Sequence, residues 1–343
     1  MPPTMRAYQI VEWGKPAQFN EIPIPRPGPG QILVKMAGAG LCHTDISILQ
    51  SPAGFWPDPP FTIGHENAGR IAELGANVEG FAEGDGVLIS SMYWCGHCDK
   101  CARGLHEQCR HIGLAGYGVG YDGGLAEYIL IEAKHAIALG SLDPVRAAPL
   151  ADAAATSYHA VKSMLPILVP GSTAVVTGVG GLGAYAVQYL ATLSGTRIIA
   201  LDTSQTRLNE ATRLGAHEVY ISDGECAEKI RDSTSGGADA VFDFVGTTPT
   251  LSTGMAALSQ GGRLIVAGIG GGEIPIGWEK IAMNAGFINT RGFNLPDLNE
   301  IVSLARDDRI EMAATHFTFD DVESGLRALE DATVEGRAVV TFD

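Results

Sequence analysis

The sequence predicts an α/β chain in two parts, a β-rich N-terminal domain followed by a doubly wound parallel sheet with helices on both faces. Three observations carry this. A length of 343 residues exceeds what one ordinary core organises. Up to about Pro144 the chain reads as short apolar runs cut by Gly, Pro and Asp, with few helical patterns. Beyond Gly171, apolar strand patterns alternate with helix-length amphipathic segments, the arrangement that buries a parallel sheet on both faces.

Taken in order, "MRAYQIVEW" is a strand, "IPIPRPGPGQ" a turn region and "ILVKMAGAG" a second strand. "AGRIAELG", "GDGVLIS" and "GLAEYILIE" are further short strands. In the middle, "GSTAVVTGVGGLGAYAVQYLATLSGTRIIALD" is strand, glycine turn, helix and strand. "SQTRLNEATRLGA" and "HEVYIS" then make a helix and a strand, and "AEKIRDSTSGG" and "ADAVFDFVG" another pair. "TLSTGMAALSQGG" is a helix and "RLIVAGIG" a strand. From about Pro296 the chain returns through helices "DLNEIVSLARD" and "DVESGLRALEDATV" to a terminal strand "RAVVTF". The expected division is 1–153 with the return 296–343, and 154–295.

Composition narrows the function classes. The net charge of −16, from 39 acidic against 23 basic residues, works against sequence-independent nucleic-acid binding, which needs Lys and Arg facing phosphates. No apolar run approaches the roughly 20 residues of a membrane helix. The first residues lack a basic-then-apolar signal pattern, so a cytoplasmic protein with no nucleic-acid or membrane partner is expected.

Gly178, Gly180 and Gly183 form G-x-G-x-x-G, with Gly181 and Leu182 inside the turn. The pattern alone is weak, but here it follows the strand "TAVVT" and opens a helix. Asp202 closes the next strand, 19 residues after Gly183. Glycines let a backbone approach a pyrophosphate, and the helix N-terminus offers it N–H groups. Asp202 would accept from ribose hydroxyls and repel a 2′-phosphate, and "DTSQ" supplies no adjacent Arg, so NAD is expected over NADP. Arg207 is placed along the adenosine, or is an ordinary solvated helix residue.

Four of the six cysteines stand in "CGHCDKCARGLHEQC": Cys95, Cys98, Cys101 and Cys109, spaced C-x2-C-x2-C-x7-C. Four thiolates in one short loop close a tetrahedral zinc shell and leave no position for water or substrate, so this lobe reads as structural. His97, His106 and His111 interleave with them and read as surface histidines. Cys226, on a helix pattern, earns no role. A second group is scattered: Cys42 and Asp45 in "GLCHTDISI", His65 and Glu66 in "FTIGHENAG". A lone Cys is more often core than ligand. Together these residues make the mixed donor set that a catalytic zinc with an open position prefers.

With these motifs in place the chain resembles the zinc-dependent medium-chain alcohol dehydrogenases over nearly its whole length. "GLCHTD", "GHE", the cysteine lobe, "GVGGLG" and "GRAVV" carry the resemblance, in the family's order. It implies a GroES-like β domain plus a Rossmann domain, with the active site in the cleft between them, and two zinc ions per chain. It implies Cys42 and His65 as catalytic zinc ligands. The third position, commonly Cys, holds Asp152 in "APLADAAATSYHA", as in a bacterial branch of the family; a helix-capping Asp is the alternative. Glu66 matches a nearby carboxylate that approaches the zinc transiently. Asp45 matches the group that receives the other N–H of His65, and Thr44 the hydroxyl that takes the substrate's proton. The relay thins there, because Ser47 stands where some members carry a His. The resemblance also places His43 and Arg337 near the cofactor phosphates and Thr156 against the nicotinamide.

The expected reaction is reversible hydride transfer between an alcohol and NAD, with Phe55, Trp56, Tyr93, Trp94, Phe293 and Leu295 as pocket walls favouring apolar substrates; plain core is the alternative for each aromatic. Competing readings are a polyol or threonine dehydrogenase, against which "APLAD" replaces the usual Glu beside Pro, and a zinc-free quinone reductase. A third is a non-enzymatic NAD-binding protein. A homodimer or homotetramer is expected from the family habit of continuing the sheet across a two-fold axis.

Overall fold

The computed structural model describes residues 2–52, 56, 58–111, 115–234 and 236–342. The chain divides into two compact units, Met1–Ala155 with Phe293–Asp343, and Thr156–Gly292.

The first unit is organised by the strand Gln31–Leu41. It pairs antiparallel with Glu66–Leu74, Tyr128–Glu132 and Arg337–Thr341. Gly86–Ile89 and Ala136–Ala138 extend the sheet on one side and Ala314–Thr318 on the other. A second sheet, in the order Gln18–Pro23, Thr4–Ile10, Phe61–Thr62, lies in the same unit. Ile10, Ile32, Val34, Leu41, Ile63, Ile89 and Leu125 meet in one core; each such side chain contributes about 1.5–3 kcal/mol when buried. The helix Val322–Glu330 adds Val322, Leu326 and Leu329, spaced to share one face.

One functional element was hidden from periodicity. The helix His43–Leu49 is too short to show a helical pattern. It starts where the long strand stops, and Asp45 secures it by accepting a hydrogen bond from the Cys42 N–H at 2.9 Å.

The second unit holds a parallel sheet in the spatial order Glu218–Ile221, Arg197–Asp202, Thr173–Thr177, Ala238–Asp243, Leu258–Val266, Gly286–Asn289. Numbered along the chain this is 3-2-1-4-5-6, the doubly wound dinucleotide-binding order. Every residue of Thr173–Thr177 is buried, as a central strand covered on both faces requires. Two details depart from expectation. The strand Leu258–Val266 begins inside "LSQGG", where a helix was expected. The register shifts between Ala238 and Ala240, and Gly261 takes φ +78°. The sixth strand, Gly286–Asn289, was not expected, because its four residues are too few to show alternation. Among the described residues no helix is long and apolar enough to cross a membrane.

Candidate metal and dinucleotide sites

Sheet register assembles the scattered donor set. Gly40 pairs with Glu66 across the antiparallel strands, so the ends of those strands bring Cys42 and His65 together. Asp152 arrives from the segment between the turn Ala148–Ala151 and the helix Ala153–Met164. One donor atom from each of Cys42, His65, Glu66 and Asp152 falls within 4.8 Å of the others. His65 Nε2 lies 3.6 Å from Asp152 Oδ2. Donors around a tetrahedral zinc stand about 3.3–3.8 Å apart, so the spacing fits.

The surroundings fit a cation as well. Asp45 is fully buried, and its Oδ1 takes the Nδ1–H of His65 at 3.1 Å. That leaves Nε2, buried and without a hydrogen-bond partner, facing the donor cluster. Burial opposes charge on His65, but the carboxylates of Asp45 and Asp152 outweigh it and carry its pKa well above the ordinary histidine range. Burial also pushes the Glu66 carboxyl up to about 7, against the pull of Arg337. Its Oε2 is likewise buried with no hydrogen-bond partner. A site that rewards positive charge and leaves two donor atoms orphaned suits a metal ion.

Thr44 Oγ1 sits 3.7 Å from the Cys42 sulfur. Ser47 Oγ donates to the His43 carbonyl at 3.0 Å. His43 is exposed. Arg337 is buried in the first unit, donating to Glu66 Oε1 and to the Leu41 carbonyl. The sequence reading placed Arg337 on the cofactor and did not foresee its pairing with Glu66, 271 residues away; the "GHE" and "GRAVV" motifs carry no mark of that pairing.

The four-cysteine lobe is drawn tight. Cys95 and Cys101 sulfurs are 3.8 Å apart, and Cys98 and Cys109 sulfurs 4.0 Å. Backbone N–H groups point at the sulfurs, from His97 and Cys98 to Cys95 and from Cys95 to Cys109. N–H groups of Arg110 and Cys101 lower the Cys98 thiol to about 6, while burial pushes Cys101 up to about 12. The N–H groups favour a thiolate at Cys98, whereas the crowded, buried Cys101 would give up its proton to a cation, and the four sulfurs fit a four-thiolate zinc.

In the second unit Gly178 adopts φ +82°, and a Cβ there would come within 2.4 Å of Val245. At Gly183 a Cβ would meet the Gly178 carbonyl at 2.0 Å, so helix and strand pack closely. At Gly180 the nearest atom stands 3.8 Å off, on Arg207, leaving a cradle open above the turn. The helix Gly183–Leu193 has no side-chain cap at Leu182, so its N-terminus is free to receive an anion. Asp202 accepts from Val179 N–H at 2.8 Å and Ser204 N–H at 2.9 Å. Arg207 Nη1 lies 4.0 Å from Asp202 Oδ2. Ser157 Oγ, one residue after Thr156, donates to the Leu182 carbonyl at 2.8 Å.

Comparison with known proteins agrees with this geometry. The profile of the "Alcohol dehydrogenase GroES-like domain" family matches residues 28–141, and that of the "Zinc-binding dehydrogenase" family residues 181–305. A NAD-dependent alcohol dehydrogenase of Sulfolobus acidocaldarius is 36% identical over 98% of this chain and 99% of its own. A D-arabinose 1-dehydrogenase (NADP(+)) of Saccharolobus solfataricus is 30% identical, covering 98% of this chain and 97% of its own. The crystal structure of the alcohol dehydrogenase of Aeropyrum pernix superposes with a TM-score of 0.90 at 34% identity, over 98% of this chain and 100% of its own. The chain belongs to the zinc-dependent medium-chain alcohol dehydrogenase family.

As a member of that family the chain carries fewer aromatic pocket walls than its sequence suggested. Trp94 is 2% exposed, packed among the lobe cysteines and against the rings of His106 and His135. Phe293 has no exposed surface. Both act as core, because large apolar rings gain most from full burial. Tyr93 stacks on Tyr121, and Leu295 packs beside the lobe. Trp56 is half-buried, its Nε1 donating to Ser51 Oγ. Phe55 lies outside the described residues. His106 is a correction: it is buried, and its Nδ1 accepts the Leu295 N–H at 3.2 Å. His97 and His111 are exposed, as read. Cys226 is buried and bonds locally to Ile221.

Proposed function

We propose that this dehydrogenase transfers hydride reversibly between an apolar primary or secondary alcohol, or the matching aldehyde or ketone, and NAD. The observation that carries the reading is the buried group of Cys42, His65 and Asp152 with His65 Nε2 left orphaned. Those three residues would hold the catalytic zinc, and the four lobe cysteines a structural one. Bound zinc supplies Lewis acidity that lowers the pKa of a substrate hydroxyl. Bound NAD would supply the hydride acceptor.

The chain's own residues do the rest. Asp45 holds the Nδ1–H of His65, fixing the tautomer that points Nε2 at the donor cluster. Thr44 Oγ1, beside the Cys42 sulfur, takes the substrate hydroxyl proton. Ser47 is turned to the His43 carbonyl and takes no part in a relay. Beyond Thr44 the chain supplies no further relay side chain at position 47, and the proton would pass to water or another group. Gly178, Gly180 and Gly183 admit the pyrophosphate to the helix N-terminus, and Asp202 reads the ribose and turns away a 2′-phosphate. His43 and Arg337 serve the phosphates, Arg207 the adenosine, and Thr156 the nicotinamide. The metal-holding domain is 1–153 with 296–343, and the dinucleotide domain 154–295.

The D-arabinose relative favours a second reading, a sugar substrate with NADP. One panel decides: kcat/KM for apolar alcohols and aldoses, each with NAD+ and NADP+, with zinc counted before and after chelation. Equal efficiency with NADP+ sinks the Asp202 assignment. An aldose preference sinks the apolar one, and no turnover despite NAD binding supports a binding protein. A homo-oligomer is supported by the sheet edge Gly286–Asn289, near which Trp278 is 98% exposed and Met283 and Phe287 are exposed too. Six free cysteines suit the reducing cytoplasm.

A further inference from the structure

Among the described residues one metal-ligating group remains outside these assignments. Cys95, His97 and His111 bring a sulfur and one ring nitrogen from each imidazole within 4.8 Å of one another. The group shares a single residue with the cysteine lobe. That residue is also the one lobe thiol left partly exposed; Cys98, Cys101 and Cys109 are buried. Both histidines are exposed, and their rings stack with centroids 5.5 Å apart and 28° between planes. His97 Nδ1 lies 3.1 Å from the Cys95 carbonyl oxygen. Donating its proton there, the ring keeps the Nε2 lone pair for a metal. Thiolate and imidazole together suit zinc and its transition-metal neighbours, and a thiolate has lone pairs enough to bridge two ions.

We propose that Cys95, His97 and His111 form a second, weaker divalent-metal site joined to the four-cysteine centre by a shared Cys95 thiolate, through which the buried ion enters and leaves. The proposal rests on reading the four cysteines as a zinc centre. Two features make this a place of transit. It has three protein donors, one of them shared. Lys134 Nζ sits 3.1 Å from the Cys95 carbonyl, so a positive charge stands beside the incoming cation. Arg110, next to His111, is paired with Asp99, which offsets its charge. Handover is a ligand exchange without redox change. The zinc–nitrogen bonds to His97 and His111 break, zinc–sulfur bonds to Cys98, Cys101 and Cys109 form, and the thiol protons pass to water.

The test uses untagged holoenzyme with its zinc counted at the start. Equilibrium dialysis against Zn2+ measures further uptake. The lobe ion, replaced by cobalt and followed by its thiolate-to-cobalt absorption, is timed as it passes to a chelator. Wild type should take up a further ion reversibly. His97→Ala/His111→Ala should take up none and keep its resident zinc and melting temperature. It should also release the lobe ion at least about tenfold more slowly. His97→Gln/His111→Gln, which preserves surface polarity, should behave the same way. Equal uptake or equal release in the variants overturns the proposal. A starting protein whose lobe holds no zinc overturns the zinc-centre reading first, and the initial count distinguishes the two failures.

Discussion

The two donor clusters of the first unit are built in opposite ways. The lobe takes four identical ligands from one stretch, Cys95 to Cys109, and backbone N–H groups from the same loop support them. The other cluster takes Cys42, the adjacent pair His65 and Glu66, and Asp152 from three separate places and depends on strand register to bring them together. A local loop can saturate an ion and needs little from the fold. A cluster assembled by the fold can supply three donors and leave a bound ion one open position, which is what a reactive metal site requires. The first cluster therefore reads as scaffold and the second as chemistry.

Breaking one ligand from each side tests that contrast most strongly. Asp152→Ala should remove one zinc per chain. It should lower kcat/KM by roughly a thousandfold, the cost of losing about 4 kcal/mol of transition-state stabilisation. Metal analysis beside kinetics checks it, and unchanged zinc content refutes the ligand assignment. Cys101→Ser should do the reverse. Melting temperature and yield fall, while protein that remains folded keeps kcat within about tenfold. A lobe variant with full stability and no turnover would invert the comparison.

Asp45→Asn sharpens the contrast by leaving the donors in place while weakening the carboxylate that orients His65 and caps the helix His43–Leu49 through the Cys42 N–H. Activity or zinc affinity should fall about 10–100-fold, with a stability loss no larger than one cap hydrogen bond, about 1 kcal/mol. An effect no larger than that of an exposed carboxylate would show that the Asp45–His65 bond is ordinary packing.

The smallest effect concerns acid. His135 lies under the lobe, its Nδ1 taking the Tyr117 hydroxyl at 3.0 Å and its Nε2–H donated to the Trp94 carbonyl at 3.1 Å. Burial drives its pKa from 6.5 down to about 3. The unfolded chain therefore binds this proton first as pH falls, so the stability is complete above about 6.5 and lost on the way down to about 3. Urea midpoints at pH 7, 5 and 4 should fall in wild type by amounts worth up to a few kcal/mol, and fall less in His135→Gln. Parallel curves would remove His135 from the account.

How much of this was legible in the sequence follows from the same contrast. The cysteine lobe and the glycine turn are contiguous, and their spacing alone specifies their geometry. The alternation from Thr173 to Asp243 announced a parallel sheet for the same reason. Cys42 and His65 were grouped by their donor chemistry, and Asp152 joined them only through resemblance to a family, because no spacing joins positions that strand pairing brings together. The Glu66–Arg337 pair was invisible, since its two halves come from opposite ends of the chain. His106 was misread as a surface residue because a histidine between two cysteines gives no sign of the Leu295 N–H waiting for it. Trp94 was left between pocket wall and core, because nothing in a sequence separates an aromatic ring that lines a cavity from one that fills a core; its burial favours core.

Asp202 carries a consequence for anyone wishing to change the cofactor. Its carboxylate holds the N–H groups of Val179 and Ser204, so it braces the glycine turn before any dinucleotide arrives. On the proposed reading, selectivity and the bracing of the turn fall to one side chain. Replacing it to admit NADP would loosen the loop that must receive either cofactor. A route to the other cofactor must therefore replace the carboxylate and restore the brace to the Val179 and Ser204 N–H groups together, with the exposed Thr203 and Gln205 as the neighbouring positions open to change.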